Sequence, residues 1–79
     1  MPCFVYVLKS KSRPPHTYVG WTTDLDARLE QHNTGLGAKF TRGRRWTLLY
    51  AEKYRTRSQA MSREWYLKRD RRFRKALCA

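Results

Sequence analysis

Acidic residues are scarce in this chain: six Asp and Glu stand against eighteen Lys and Arg in 79 residues. The net charge of +12 destabilises a compact fold by self-repulsion unless a polyanion offsets it. Cysteine is scarcer still. Cys3 and Cys78 lie near opposite ends, without metal-ligand spacing and too few for a disulfide framework, which predicts a reduced, cytoplasmic protein. Long hydrophobic runs are missing as well. The apolar stretch from Cys3 to Leu8 is too short for a signal-peptide core, has no basic segment before it and falls far below a membrane span. No repeat, linker or low-complexity stretch interrupts the chain apart from an arginine-rich tail, so residues 1–79 are expected to form a single domain.

What is present suffices for a small core. Hydrophobic residues make up 41% of the chain, and three Trp, five Tyr and three Phe bring large buried areas. A domain of this length buries only about 60% of the surface its unfolded chain exposes. Of the two common polyanions, nucleic acid fits better than an anionic membrane. Membrane binding needs a long apolar helical face opposite a basic one, whereas here the aromatics belong to strands and core. The expected partner is nucleic acid, with no membrane.

Residues 3–9 alternate with both faces apolar, Cys3, Val5 and Val7 on one and Phe4, Tyr6 and Leu8 on the other, which predicts a central strand. Pro14-Pro15 makes residues 9–16 a hairpin loop, and residues 17–21 form the second, antiparallel strand. Thr22-Thr23-Asp24 caps a helix over 24–33 with Leu25 and Leu29 as its buried stripe. Arg28 and His32 lie about 60° round that helix, at the boundary of core and solvent. Gly35 and Gly37 end it and open a basic loop, Lys39 to Arg45. A third strand lies within 46–54, and Thr56-Arg57-Ser58-Gln59 is a capping box for a second helix to about Arg69. Ala60, Met61, Trp65, Leu67 and Lys68 are expected on its broad inner face, with Glu64 alongside. Asp70 caps a last helix, 71–77, burying Phe73, Ala76 and Leu77. The layout is α+β, order β-β-α-β-α-α: a small three-stranded antiparallel sheet flanked by helices.

Several side chains carry chemistry. Tyr6 and Tyr18 sit in Val5-Tyr6-Val7 and Tyr18-Val19-Gly20, Arg28 and His32 one helical turn apart, and Glu64 in the second long helix. Two phenols, a guanidinium, an imidazole and a carboxylate are the parts of a one-metal phosphodiesterase. Singly, each has a plainer reading. Tyrosine is a common strand former, one Arg among many is a solvated charge, and a histidine at a helix C-terminus favours the dipole. Glu64 and Lys68 make a routine i, i+4 pair. Trp21, Trp46 and Trp65 read as core, and His16 as a loop residue. Four cations within seven residues, Lys39, Arg42, Arg44 and Arg45, read as phosphate contacts.

Taken in order, these elements resemble the GIY-YIG nuclease superfamily, and are most similar to its small stand-alone bacterial members related to the excision-repair nuclease domain. Val5-Tyr6-Val7 and Tyr18-Val19-Gly20 stand for the two tripeptides. Arg28, His32 and Asn33 match an R-x-x-x-H-N helix, and Arg63-Glu64-Trp65-Tyr66-Leu67-Lys68 resembles the metal-glutamate helix. The resemblance spans about residues 3–77. Val replaces Ile in both tripeptides, Val5 replaces Gly, and Phe73-Arg74-Lys75-Ala76-Leu77 stands where many members carry an Asn.

The resemblance implies a metal-dependent endonuclease with Tyr6, Tyr18, Arg28 and His32 catalytic and Glu64 holding Mg²⁺ or Mn²⁺. Arg28 is expected to grip the non-bridging oxygens, its planar fork matching phosphate, and Tyr18 to hydrogen-bond the nucleophile or the phosphate. Either Tyr6 or His32 is the base. A phenol near pKa 10 is about 0.1% ionised at pH 7, and nearby cations such as Arg28 are expected to lower the Tyr6 value. Gly20 would permit close approach of backbone or phosphate, and Lys39, Arg42, Arg44, Arg45 and Lys68 would contact nucleic acid. DNA is expected before RNA, in repair or recombination. A chain this short has no second module to read base edges, so specificity comes from shape, single strands or a partner protein. The expected state is a monomer or weak dimer. Two alternatives stay open: a non-catalytic nucleic-acid-binding module on the same fold, and an RNA-processing nuclease.

Overall fold

The doubly apolar run becomes the middle of the sheet in the computed structural model, which describes residues 2–78. β1 (Cys3–Ser10) lies between β2 (Thr17–Thr22) and β3 (Trp46–Tyr54), antiparallel to both. Its two faces feed two cores, because successive strand side chains point to opposite sides. Val5 and Val7 join Val19, Ala60 and Leu67 under α2 (Arg57–Arg69) and α3 (Arg71–Cys78). Tyr6 and Leu8 join Trp46, with Tyr18, Leu25 and Leu29 packed over them from β2 and α1 (Leu25–Asn33). The element order is therefore the expected β-β-α-β-α-α, with one 3₁₀ turn (Lys39–Thr41) added in the basic loop.

Local signals start the helices. The Asp24 side chain accepts from the Ala27 amide at 3.1 Å, and Asp24's own amide donates to Thr22 Oγ1 at 3.1 Å. Thr56 and Gln59 close a reciprocal capping box, and Asp70 accepts from the Phe73 amide at 3.0 Å. Such caps satisfy backbone donors that a helix start leaves orphaned. A bulge opposite Val7 and Leu8 inserts Leu49 as an extra residue in β3. That is why consecutive Leu49 and Tyr50 both pack on the α2 and α3 side.

Four residues expected inside lie outside. Met61 and Trp65 are 49% and 51% exposed rather than internal, and Lys68 is exposed with them. The stripe that α2 turns to the sheet is Ala60, Arg63, Glu64 and Leu67, at i, i+3, i+4 and i+7. Arg63 belongs there because its Nε and one terminal nitrogen bond the two oxygens of Glu52 on β3, at 2.9 and 3.2 Å. Tyr50 and Tyr54 also donate to that carboxylate. Burial alone would raise the Glu52 pKa; the bonds from Arg63, Tyr50 and Tyr54 outweigh it and bring the value down to about 2. In α3, Ala76 faces solvent while Phe73 and Leu77 pack on the core. Arg74 folds back to donate to the carbonyls of Leu67 (3.0 Å) and Lys68 (2.7 Å) and to Thr17 Oγ1 (2.8 Å), tying the end of α2 to β2.

Cys3 and Cys78 are free thiols. Among the described residues no helix is long and apolar enough to cross a membrane.

Candidate active site

Tyr6 lies on the α1 side of the central strand and pairs in register with Gly20. Its ring lies over that glycine: a Cβ built on Gly20 would fall 2.7 Å from Tyr6 Cζ and closer still to the hydroxyl. The close approach anticipated at Gly20 is thus made by a phenol, and Gly20 itself is buried. Seated there, Tyr6 Oη lies 2.8 Å from His32 Nε2.

His32 was expected at the edge of the core. It is instead fully buried, the most deeply placed residue of α1. Its other nitrogen, Nδ1, lies 2.9 Å from Thr41 Oγ1, and Thr41 donates its single proton to the Ala38 carbonyl at 2.8 Å. The hydrogen-bond pattern therefore assigns the tautomer: Thr41 accepts from Nδ1–H, leaving the Nε2 lone pair to accept from the Tyr6 hydroxyl. Burial, then the charge of Arg28, holds the His32 pKa below its ordinary value, which keeps the ring neutral near pH 7.

The expected lowering of the Tyr6 pKa is not what the structure gives. Burial pushes it up and outweighs the opposing pull of Arg28, while Tyr18 and Glu64 add to the rise. Tyr18 is also raised, first by burial, against Arg28 and with Glu64. The two phenols therefore feel the same guanidinium and the same carboxylate. Their rings are 6.5 Å apart, and Tyr18 packs on His32 at 4.9 Å.

Arg28 rises from α1 one turn before His32. One terminal nitrogen bonds Gln31 Oε1 at 2.9 Å, whereas its buried Nε has no hydrogen-bond partner. A buried donor without a partner costs about 1–3 kcal/mol; Arg28 bears that cost with its Nε closed to solvent. It lines a cleft of about 320 Å³ with Trp21, Thr22, Asp24 and Arg57, and the Arg57 guanidinium sits 5.4 Å from the Trp21 ring centroid. Glu64 is half-buried, with a single long pairing to Lys68 at 3.8 Å. No group of three or more His, Cys, Asp and Glu gathers among the described residues. Glu64 would offer one carboxylate to a hydrated hard cation, whose remaining ligands would be water and substrate oxygens.

The basic loop closes over this centre. Asn33 grips its end with two bonds, the Trp46 amide donating to Oδ1 at 2.7 Å and Nδ2 donating to the Trp46 carbonyl at 3.1 Å. Trp46 Nε1 donates to the Thr41 carbonyl at 3.0 Å. Lys39, Arg42 and Arg45 are exposed on the loop, and Arg44 is half-buried, donating to the Phe40 carbonyl. Four contributors were missed from sequence: Thr41, Asn33 as a clamp, Arg57 and Gly37. A Cβ at Gly37 would lie 2.9 Å from His32 Cε1 and nearer still to Nδ1. Gly37 had been read only as a helix stop, and Thr41 carried no local signal.

The GIY-YIG catalytic domain model matches residues 2–76. The chain belongs to the GIY-YIG family. Among relatives of this GIY-YIG domain, the UPF0213 protein CPE1444 of Clostridium perfringens is 45% identical over 67 residues, covering 84% of this chain and 70% of the relative. The UPF0213 protein OB0043 of Oceanobacillus iheyensis is 41% identical over 73 residues, covering 91% and 83%. The solution NMR structure of the UPF0213 protein BH0048 from Bacillus halodurans superposes with a TM-score of 0.57 at 36% identity, covering 99% of this chain and 83% of that one. This family is a nuclease family, which supports a nuclease-type role on nucleic acid.

Proposed function

We propose that this GIY-YIG domain is a metal-dependent endonuclease that hydrolyses phosphodiester bonds, in DNA before RNA, with low sequence specificity. The observation that carries the reading is the hydrogen-bond chain Tyr6–His32–Thr41. A buried phenol whose pKa is raised supplies almost no standing phenolate, so it can act as a base only by passing its proton on as it takes one. His32 Nε2 is placed to receive that proton. Tyr6 and His32 are both buried; of the two, only Tyr6 feels the Glu64 carboxylate as well as Arg28, which favours Tyr6 as the group that touches the nucleophile. As water loses a proton to Tyr6, its oxygen bonds phosphorus and the bond to the leaving oxygen breaks. His32 then returns its proton through Tyr6 to solvent, helped by repulsion from Arg28.

The guanidinium of Arg28, which lines the cleft, suits a non-bridging phosphate oxygen that gains charge in the transition state. Tyr18 feels the same guanidinium. A divalent cation such as Mg²⁺ or Mn²⁺, held by Glu64, would supply charge neutralisation at the phosphate and the leaving oxygen. Lys39, Arg42, Arg44, Arg45 and Lys68 supply sequence-independent attraction to the backbone.

Cleavage of labelled single-stranded, duplex, branched and RNA substrates, with Mg²⁺ or Mn²⁺ and with chelator, tests the reading. Metal-dependent cutting that Glu64→Gln abolishes is the expected result. Tight, salt-sensitive binding without cutting would overturn the enzymatic reading and leave a nucleic-acid-binding module.

A further inference from the structure

The 3₁₀ turn Lys39–Thr41 has two sides. Thr41 points inward to His32, while its neighbour Phe40 is 48% exposed. Phe40 nevertheless has a defined place. Its ring stacks on Tyr18, centroids 6.2 Å apart and planes within 20°, and meets His16 edge-on at 6.1 Å. Trp46 lies beside it at 6.1 Å. An aromatic series thus runs from the buried imidazole of His32 through Tyr18 and ends at a half-exposed ring.

That ring also carries a cation. The Arg44 guanidinium lies over its face, 5.1 Å from the Phe40 centroid, and is anchored by a 2.8 Å bond to the Phe40 carbonyl. Lys39, Arg42 and Arg45 are exposed on the same loop. A half-exposed aromatic ring with a guanidinium on its face, on a loop that carries three further exposed cations, matches a ligand with a flat aromatic body and an anionic backbone. Exposed Trp65 carries Arg69 in the same way but closer, 3.6 Å from the ring centroid.

We propose that Phe40 is a stacking platform for an unpaired nucleobase beside the scissile phosphate, so that the substrate is single-stranded or locally unpaired nucleic acid. The inference rests on the nuclease reading and adds the substrate class to it. A base inside a duplex is already stacked on both faces, so a protein ring engages it only once it is splayed out. Phenylalanine has no hydrogen-bonding group, so it accepts any base, which agrees with low sequence specificity. Arg44, which covers the ring in the free protein, gives way to the base and turns to the phosphate of the same nucleotide.

The test is equilibrium binding in chelator, which suppresses turnover. The probes are a DNA single strand, the same strand with one abasic site, its blunt duplex, and an RNA single strand. The unaltered protein is expected to bind the single strand more tightly than the duplex. Phe40→Ala should weaken single-strand binding about 10-fold and leave duplex and abasic binding nearly unchanged. Phe40→Trp should restore the affinity, and its added fluorescence should be quenched by the intact strand but not at the abasic site. The stronger of the DNA and RNA responses assigns the sugar. Equal losses on duplex and single strand, or no loss, would overturn the stacking role while leaving the nuclease reading standing. Absence of salt-sensitive binding to every probe would instead overturn the nuclease reading itself.

Discussion

Replacing Thr41 with Val tests the assigned tautomer. Thr41 is fully buried, and its hydroxyl accepts from His32 Nδ1 at 2.9 Å and donates to the Ala38 carbonyl at 2.8 Å. Valine keeps the shape and removes both bonds, leaving a buried N–H or lone pair without a partner at about 1–3 kcal/mol each. A domain of 79 residues has a total stability of about 4–12 kcal/mol, so the variant should fold with a visibly lower Tm. The larger consequence falls on the proton. With a methyl facing Nδ1, the ring gains by placing its hydrogen on Nε2 and donating to Tyr6, the reverse of what proton acceptance requires. A tautomer penalty of about 1–3 kcal/mol corresponds to a rate loss of roughly 5- to 150-fold. Single-turnover cleavage, with Kd measured separately, should show that loss with little change in binding, and Thr41→Ser should restore the rate. The ¹⁵N resonances of His32 report the tautomer without reference to activity. A Val variant that is folded and cleaves at the wild-type rate, or a Ser variant that fails equally, would refute the reasoning.

Two further outcomes follow from the same geometry. Gly20→Ala drives a methyl into the Tyr6 phenol, and overpacking of this kind costs about 1–3 kcal/mol; chemical denaturation should show the loss together with reduced cleavage. The Glu52 carboxyl falls from its ordinary 4.5 to about 2 in the fold. Its contribution, on the order of 3 kcal/mol, is therefore complete above about pH 4.5 and disappears as pH drops through about 2. The stability gap between wild type and Glu52→Gln, measured by denaturation, should be wide at pH 6 and close toward pH 2; a gap independent of pH would contradict the assignment.

How much of this was legible in the sequence depended on how local the determinant is. Asp24, Thr56 with Gln59, and Asp70 act within three residues, so helix starts could be read directly. The alternation of Val5, Tyr6, Val7 and Leu8 identified the central strand for the same reason. The stripe of α2 misled because its middle position is filled by Arg63, drawn in by Glu52 from another element, so apolar Met61 and Trp65 were placed inside. The candidate site divides in the same way. Tyr6, Tyr18, Arg28, His32 and Glu64 carry recognisable chemistry at readable spacing. Their environment does not: the burial of His32, the acceptor supplied by Thr41 and the room left by Gly37 exist only once the basic loop folds back over α1. The direction of the Tyr6 pKa shift was misjudged for that reason, since the charge of Arg28 was visible in the sequence and the depth of burial was not.

The central claim is that a buried phenol hands its proton to a neutral imidazole as it activates water. Single-turnover cleavage by Tyr6→Phe, with Kd determined on the same substrate, tests it most directly. A fall of about 100-fold or more in the cleavage rate is expected, with binding essentially retained. Cleavage by this variant at the wild-type rate would contradict it and move the base elsewhere in the site.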